Sequence, residues 1–179
     1  NESSQKDENT IAIFLNENLK KNSEKKLLSS TVPIFEPGEY EVNNIPIQSH
    51  AIRLNTENLD ESVNIYSVIT EGMTICYLNE ISKITIPANI TESIGKIDIL
   101  VCLSDDSSDK SVESINSLLS GLDPKVLIIA EKNSNNNTSE IYEKLIKGLG
   151  HSPEDSVINA NITKSSIADA LKVVNLRKS

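Results

Sequence analysis

The amino-acid sequence predicts an α/β protein, because its hydrophobic pattern changes character half-way along the chain. In the first half, short apolar runs are separated by turn signals at Pro37-Gly38, Asn43-Asn44 and Glu71-Gly72, which is typical of antiparallel hairpins. In the second half, continuous apolar strands alternate with amphipathic helices, which is typical of βαβ units. A mixed sheet or a two-sheet α/β sandwich follows, and 179 residues suffice for one domain.

The antiparallel half is predicted element by element from its apolar runs and turns. Residues 1–9 are wholly polar and are expected to form a flexible lead, with residues 10–179 as a single domain. In chain order we expect a strand at 10–15, a weak helix within 16–30, a strand at 32–35, a hairpin of 39–42 with 45–48, a polar loop at 53–62, and a hairpin of 63–70 with 73–78.

The βαβ half has clearer helix signals. A helix is predicted over 109–120, with Val112, Ile115 and Leu119 on one face and Gly121 just past its end. A second helix is predicted from Asn137 through Leu149, since Glu140 three residues after Asn137 resembles a capping box. Strands are expected at 97–103, 125–130, 157–162 and 171–176.

The net charge of the chain argues against some classes of binding partner. The chain has 17 basic and 26 acidic residues and a net charge of −9, whereas phosphate binding needs clustered Lys and Arg. We therefore expect no nucleic acid, and no membrane, since no apolar run approaches the ~18 residues of a span. A protein partner or a homo-oligomer remains open, a cytoplasmic location is favoured, and the start at Asn1 indicates that something upstream has been removed.

The two cysteines, Cys76 and Cys102, lie within apolar strand-like runs. Two buried free thiols are expected, as is usual for free Cys. A disulfide between neighbouring strands is the alternative, and C-x-x-C redox spacing is absent.

The segment Pro37-Gly38-Glu39-Tyr40-Glu41-Val42 resembles a hallmark of small metallo-β-lactamase-fold proteins, in the branch related to L-ascorbate-6-phosphate lactonase. The flanking segments are similar to that family in the same order, namely 15–21, 63–69, 71–83, 97–103 and 122–132. The resemblance implies an αββα sandwich from about Thr10 onward. Family members usually carry more strands before the first motif, so we expect a reduced N-terminal sheet.

The resemblance also implies zinc or manganese, held by histidines and a bridging aspartate, but the matching positions carry other side chains. The first two motif histidines correspond to Asn16 and Asn18, whose neutral amides are poor ligands for these metals. Lys20 and Lys21 replace the motif's Asp and final His. An ammonium about 4 Å from a dication costs about 8 kcal/mol at an effective dielectric of 20. Glu80 replaces the bridging Asp and Glu131 replaces the last His.

These replacements predict a catalytically inactive domain that acts as a structural or protein-interaction module, with no cofactor. A divergent lactonase-type or phosphoesterase-type hydrolase is the alternative. Its weakly bound Mg²⁺ or Ca²⁺ would use carboxylate ligands, and the candidates are Glu80, Asp105, Asp106 and Glu131, with His50 nearby. A third possibility is a subunit that supplies a surface to an active paralogue. His151, which follows Gly150, is expected to be a plain position after a helix end.

Overall fold

The computed structural model describes residues 10–13, 31–54, 62–79, 84–104, 109–131, 137–148, 150 and 155–177. Its strands are β1 (Thr10–Ile13), β2 (Thr31–Ile34), β3 (Gly38–Val42), β4 (Ile45–Arg53), β5 (Ser62–Thr70), β6 (Met73–Leu78), β7 (Ile99–Ser104), β8 (Val126–Glu131) and β9 (Lys172–Leu176). Its helices are α1 (Ala88–Ile94), α2 (Asp109–Leu122) and α3 (Asn137–Gly148), with a 3₁₀ turn at Lys164–Ser166. No helix in these ranges has the length and apolar character needed to cross a bilayer.

Strands β3 to β9 form one seven-stranded sheet in chain order. Its first four strands are antiparallel, and β6 to β9 are parallel. The change of direction lies at β6, where the turn signals of the sequence give way to helical connections. The predicted mixed sheet is therefore confirmed.

Both predicted hairpins form with two-residue turns. Val42 pairs with Ile45 and Thr70 pairs with Met73. The residues between them have positive φ, at 53° and 61° for Asn43 and Asn44 and at 50° and 72° for Glu71 and Gly72. This conformation matches the twist of the flanking strands, so the turns set the register of the antiparallel half.

The main core lies on the face of the large sheet that the helices cover. Alternate residues of the strands point to this face, for example Leu100 and Cys102 of β7, and both are fully buried. Ile115 and Leu118 of α2 and Leu145 of α3 pack into the same cluster. The sheet and its helices therefore form two packed layers of an α/β sandwich.

The opposite face of the sheet carries a separate cluster under β1 and β2, which pair with each other in parallel. Ile34 of β2 packs with Ile47 and Tyr66 of the large sheet, and all three are at most 1% exposed. Burial raises the pKa of Tyr66, so its hydroxyl stays protonated and donates to the Ile34 carbonyl oxygen at 3.4 Å. The small sheet thus packs face to face on the antiparallel half.

A buried carboxylate, Asp98, joins several elements at the amino-terminal ends of the parallel strands. Its Oδ2 accepts the Thr74 N–H at 2.9 Å, and its Oδ1 accepts the Lys164 ammonium at 2.7 Å. Its backbone carbonyl accepts the N–H groups of Lys125 and Val126. Burial alone would raise the pKa of Asp98, but Lys164, the Thr74 N–H and Lys96 outweigh it and hold that pKa below its usual value.

Two predicted elements differ from the structure, and one helix was not predicted. The strand expected at 157–162 is only a single bridge between Val157 and Leu176, because the chain then leaves the sheet and passes along β9. Helix α2 continues through Gly121 to Leu122, since Leu122 is buried and extends the apolar face, and Asp123 adopts the positive φ of 43° after it. Helix α1 was not predicted, and its seven residues carry only one buried side chain, Ile94.

Candidate functional site

The carboxyl-terminal ends of strands β6, β7 and β8 lie at one edge of the large sheet. Leu78 at the end of β6 pairs with Cys102, and Ser104 at the end of β7 pairs with Glu131 at the end of β8. The backbone therefore leaves these three strands at one edge, which is where open α/β sheets place their sites.

Most of the side chains predicted for that edge lie outside the described residues. For Glu131 the structure describes the backbone, within β8. Glu80, Asp105, Asp106 and His151 lie outside the described ranges, as do the first-motif positions Asn16, Asn18, Lys20 and Lys21. The predicted roles of these residues stay predictions. Among the described residues, no three His, Cys, Asp or Glu side chains are placed to hold a metal ion.

Asn79 is a polar residue at this edge that the sequence analysis did not single out. It follows β6 directly and is 1% exposed, and its Oδ1 atom has no hydrogen-bond partner among the described residues. A buried acceptor without a partner costs about 1–3 kcal/mol. Its position immediately after a buried strand was the available signal. This edge of the sheet thus carries a buried amide oxygen.

His50 lies on β4, in the part of the fold that the helices cover. It pairs with Ile65 of β5 and shares a face with Ile52, so it sits at the level of Leu78 but two strands away, roughly 10 Å at the usual strand spacing. Its Nε2 atom is 3.5 Å from Ser93 Oγ of α1. A Ser–His pair is a possible nucleophile and base. Here His50 is half-buried, Ser93 is exposed, and the two atoms are at the limit of hydrogen-bond distance. The contact joins β4 to α1.

The two cysteines are buried free thiols, as predicted. Burial raises the pKa of Cys76 to about 12, and burial together with the Cys76 thiol raises the pKa of Cys102. The thiolate is the form that binds metals and attacks substrates. Both thiols therefore stay protonated at neutral pH beneath the helices.

No family model and no curated protein matches the chain. Among solved structures, the chain is similar to a proposed zinc-dependent hydrolase of the metallo-β-lactamase superfamily from Thermotoga maritima. The TM-score is 0.56 at 17% identity, over 83% of this chain and 73% of that one. It is also similar to a proposed metal-dependent hydrolase from Parabacteroides distasonis, with a TM-score of 0.51 at 14% identity, over 96% of this chain and 66% of that one.

The chain has the metallo-β-lactamase fold. This confirms the fold class predicted from the sequence. The chain spans about two thirds to three quarters of the length of these two relatives. At such low identity the likeness concerns the fold alone, and function depends on the side chains at the site.

The donor set of this chain does not fit the metal centre that the fold family implies. The whole chain has two histidines, and the described one, His50, lies beside Ser93 of α1. Zinc centres of hydrolases are built from neutral imidazoles with a carboxylate, and a dinuclear centre needs more imidazoles than this sequence contains. We therefore derive no reaction step through such a centre.

Proposed function

We propose that this domain keeps the metallo-β-lactamase fold without a histidine-bound dinuclear metal centre and acts as a structural or protein-interaction module. The histidine count carries the proposal: two in 179 residues. The thiols of Cys76 and Cys102 are fully buried within the helix-covered core rather than presented at a site. The sequence thus lacks the nitrogen and sulfur donors that zinc prefers.

Charge at the first-motif positions supports the same proposal. Lys20 and Lys21 stand where the resemblance implies an aspartate and a histidine. A cation there repels a bound dication by about 8 kcal/mol at 4 Å and an effective dielectric of 20.

The segment that carries the family resemblance has a structural role, which explains how it can persist without a metal. Gly38–Val42 is the edge strand β3, and the Tyr40 hydroxyl donates to the Glu36 carbonyl oxygen at 2.7 Å. Tyr40 and Val42 pack against the cluster under the small sheet. We propose that the chain derives from the lactonase-related branch and retained the residues that build the hairpin.

Metal analysis of the purified chain tests the proposal. We expect no stoichiometric zinc, manganese or iron after incubation with each metal and gel filtration, and no hydrolysis of a generic phosphodiester or lactone. Near-stoichiometric metal would contradict the proposal.

A restored variant provides the matched positive control. It combines Asn16→His, Asn18→His, Lys20→Asp, Lys21→His, Glu80→Asp and Glu131→His. It should gain zinc if these positions surround one site, since ligand identity then limits binding. Metal uptake by the restored variant alone would support the proposal, whereas equal uptake by both chains would count against it.

A further inference from the structure

The outer edge of β9 is engaged only in part by the rest of the described chain. Lys172 N–H bonds inward to the Lys125 carbonyl, while the Asn175 carbonyl and the Arg177 N–H bond outward to Val157. Because backbone groups alternate in direction along a strand, the N–H and C=O of Val173 also point outward. No other backbone partner of this outer edge occurs among the described residues.

Next to this edge is a cavity of about 170 Å³. Residues of β9 and of the segment 155–162 line it. That segment leaves the sheet after its single bridge at Val157. Asn159, Asn161 and Asn175 line the cavity together with Tyr142, Val173, Lys172 and Asp155. Its volume is below the roughly 300–1,000 Å³ of small-molecule pockets, but the outward N–H and C=O of Val173 match the main-chain hydrogen-bonding groups of an extended peptide.

The surroundings of the cavity favour a particular kind of peptide. Val157 and Ile158 are 38% and 53% exposed and offer an apolar contact beside it. Lys172 and Arg177 are exposed at the two ends of β9, in a chain whose net charge is −9. In contrast, the other edge strand of the sheet, β3, exposes Glu39 and Glu41.

We propose that the β9 edge binds an extended acidic peptide segment of a partner protein, which adds to the sheet beside Val173. This mode uses main-chain hydrogen bonds for affinity and neighbouring side chains for specificity. A second copy of the chain is a poorer occupant, because antiparallel self-pairing centred on Val173 places the Lys172 residues of the two copies at neighbouring diagonal positions, and like charges destabilise such pairs. The inference rests on the proposed role as an interaction module and names the partner.

A designed peptide tests this inference. The probe is a fluorescent, end-blocked peptide of alternating Glu and Val residues, compared with the Lys and Val counterpart and with a version N-methylated at its Val residues. We expect binding of the acidic peptide only, slower amide exchange at Val173 and Asn175, and a loss of about tenfold on N-methylation, because each net hydrogen bond contributes up to about tenfold. Equal binding of the N-methylated peptide, or no binding of the acidic one, would overturn the proposal.

Charge variants of the intact chain complete the test. Lys172→Glu with Arg177→Glu should weaken binding of the acidic peptide, whereas Lys110→Glu on the exposed part of α2 should leave it unchanged. Equal effects of both changes would contradict a local site. If the chain self-associates with concentration and the Val173 amide is then protected from exchange without peptide, the occupant of the β9 edge is a second copy. That result would overturn the proposal. Stoichiometric metal would refute the proposed function while leaving this binding result as it stands.

Discussion

At the scale of single residues, Asp98 connects segments that are far apart in the sequence, so its replacement should destabilise the fold. Asp98→Asn keeps the shape and an acceptor for the Thr74 N–H, but it loses the charge that faces Lys164 at 2.7 Å. Since Lys164 is half exposed, we expect a loss of about 1–2 kcal/mol in the free energy of unfolding. Urea denaturation at pH 7 measures this change.

The stability contributed by Asp98 should also depend on pH. Its pKa is lower in the folded protein than its usual value, so the unfolded state binds the proton more readily. The contribution is therefore complete above the usual value of about 3.9 and declines as the pH falls through the folded pKa. The wild-type urea midpoint should fall more steeply below pH 4 than that of Asp98→Asn. Asp109→Asn, at an exposed helix end, is the control, and a wild-type slope matched by Asp98→Asn would exclude this role.

The environment of a single residue could be predicted from the sequence where its immediate neighbours in the chain determine it. The burial of Cys76 and Cys102 followed from their apolar runs. The importance of Asp98 did not, because its partners Thr74 and Lys164 are 24 and 66 residues away. A carboxylate between Ile97 and Ile99 carries no local signal that distinguishes it from a solvated one.

At the scale of elements, two glycines should respond in opposite directions to the same substitution. Gly72 has φ of +72° in the β5–β6 turn, and Gly121 lies within α2. A Cβ atom at either position meets nothing within 4 Å, so the backbone decides the outcome. Gly72→Ala should destabilise by about 1–2 kcal/mol, and Gly121→Ala should stabilise by about 0.5–1 kcal/mol.

Thermal unfolding of the two variants, compared with the wild type, checks this pair. Each glycine serves as the control for the other, since the added methyl group is the same. Destabilisation by both changes would show that α2 ends before Gly121, as the sequence alone had indicated. Equal stability of Gly72→Ala and the wild type would show that the turn tolerates a side chain there.

Element prediction succeeded where a short-range geometric rule applies. The hairpins follow from two-residue turns, and α2 and α3 follow from amphipathic periodicity. Residues 157–162 were expected to form a strand because Val157, Ile158 and Ile162 are apolar, but their spacing does not alternate. Val157 and Ile158 are exposed, and Ile162 instead packs near Met73 and Val174 on the sheet face opposite the helices.

At the scale of the molecule, the order of the elements determined the sheet. Antiparallel hairpins followed by βαβ units leave little freedom for strand order, and the order β3 to β9 follows the chain. The site was less predictable, since edge topology locates chain positions but gives no side-chain geometry. Glu80 and Asp105 could be predicted to follow strand ends. In contrast, the Oδ1 atom of Asn79, which has no hydrogen-bond partner among the described residues, depends on burial that only the fold creates.

The two faces of the large sheet should differ in local stability. The parallel strands β7 and β8 have neighbours on both sides and a helix-covered core. Strands β1 and β2 form a two-stranded sheet held on the cluster of Ile34, Ile47 and Tyr66. Two strands are marginal on their own, so β1 and β2 should open without global unfolding.

Ile47→Ala tests this difference, because Ile47 is 1% exposed in that cluster and its truncation should cost about 2–5 kcal/mol. Hydrogen exchange should accelerate more at the amides of β1 and β2 than at those of β7 and β8. Leu127→Ala, which truncates a fully buried residue of the helix-side core, should accelerate both pairs. If Ile47→Ala accelerates both pairs by the same factor, the small sheet and the large sheet unfold as one cooperative unit. The cluster of Ile34, Ile47 and Tyr66 would then not unfold separately from the rest of the domain.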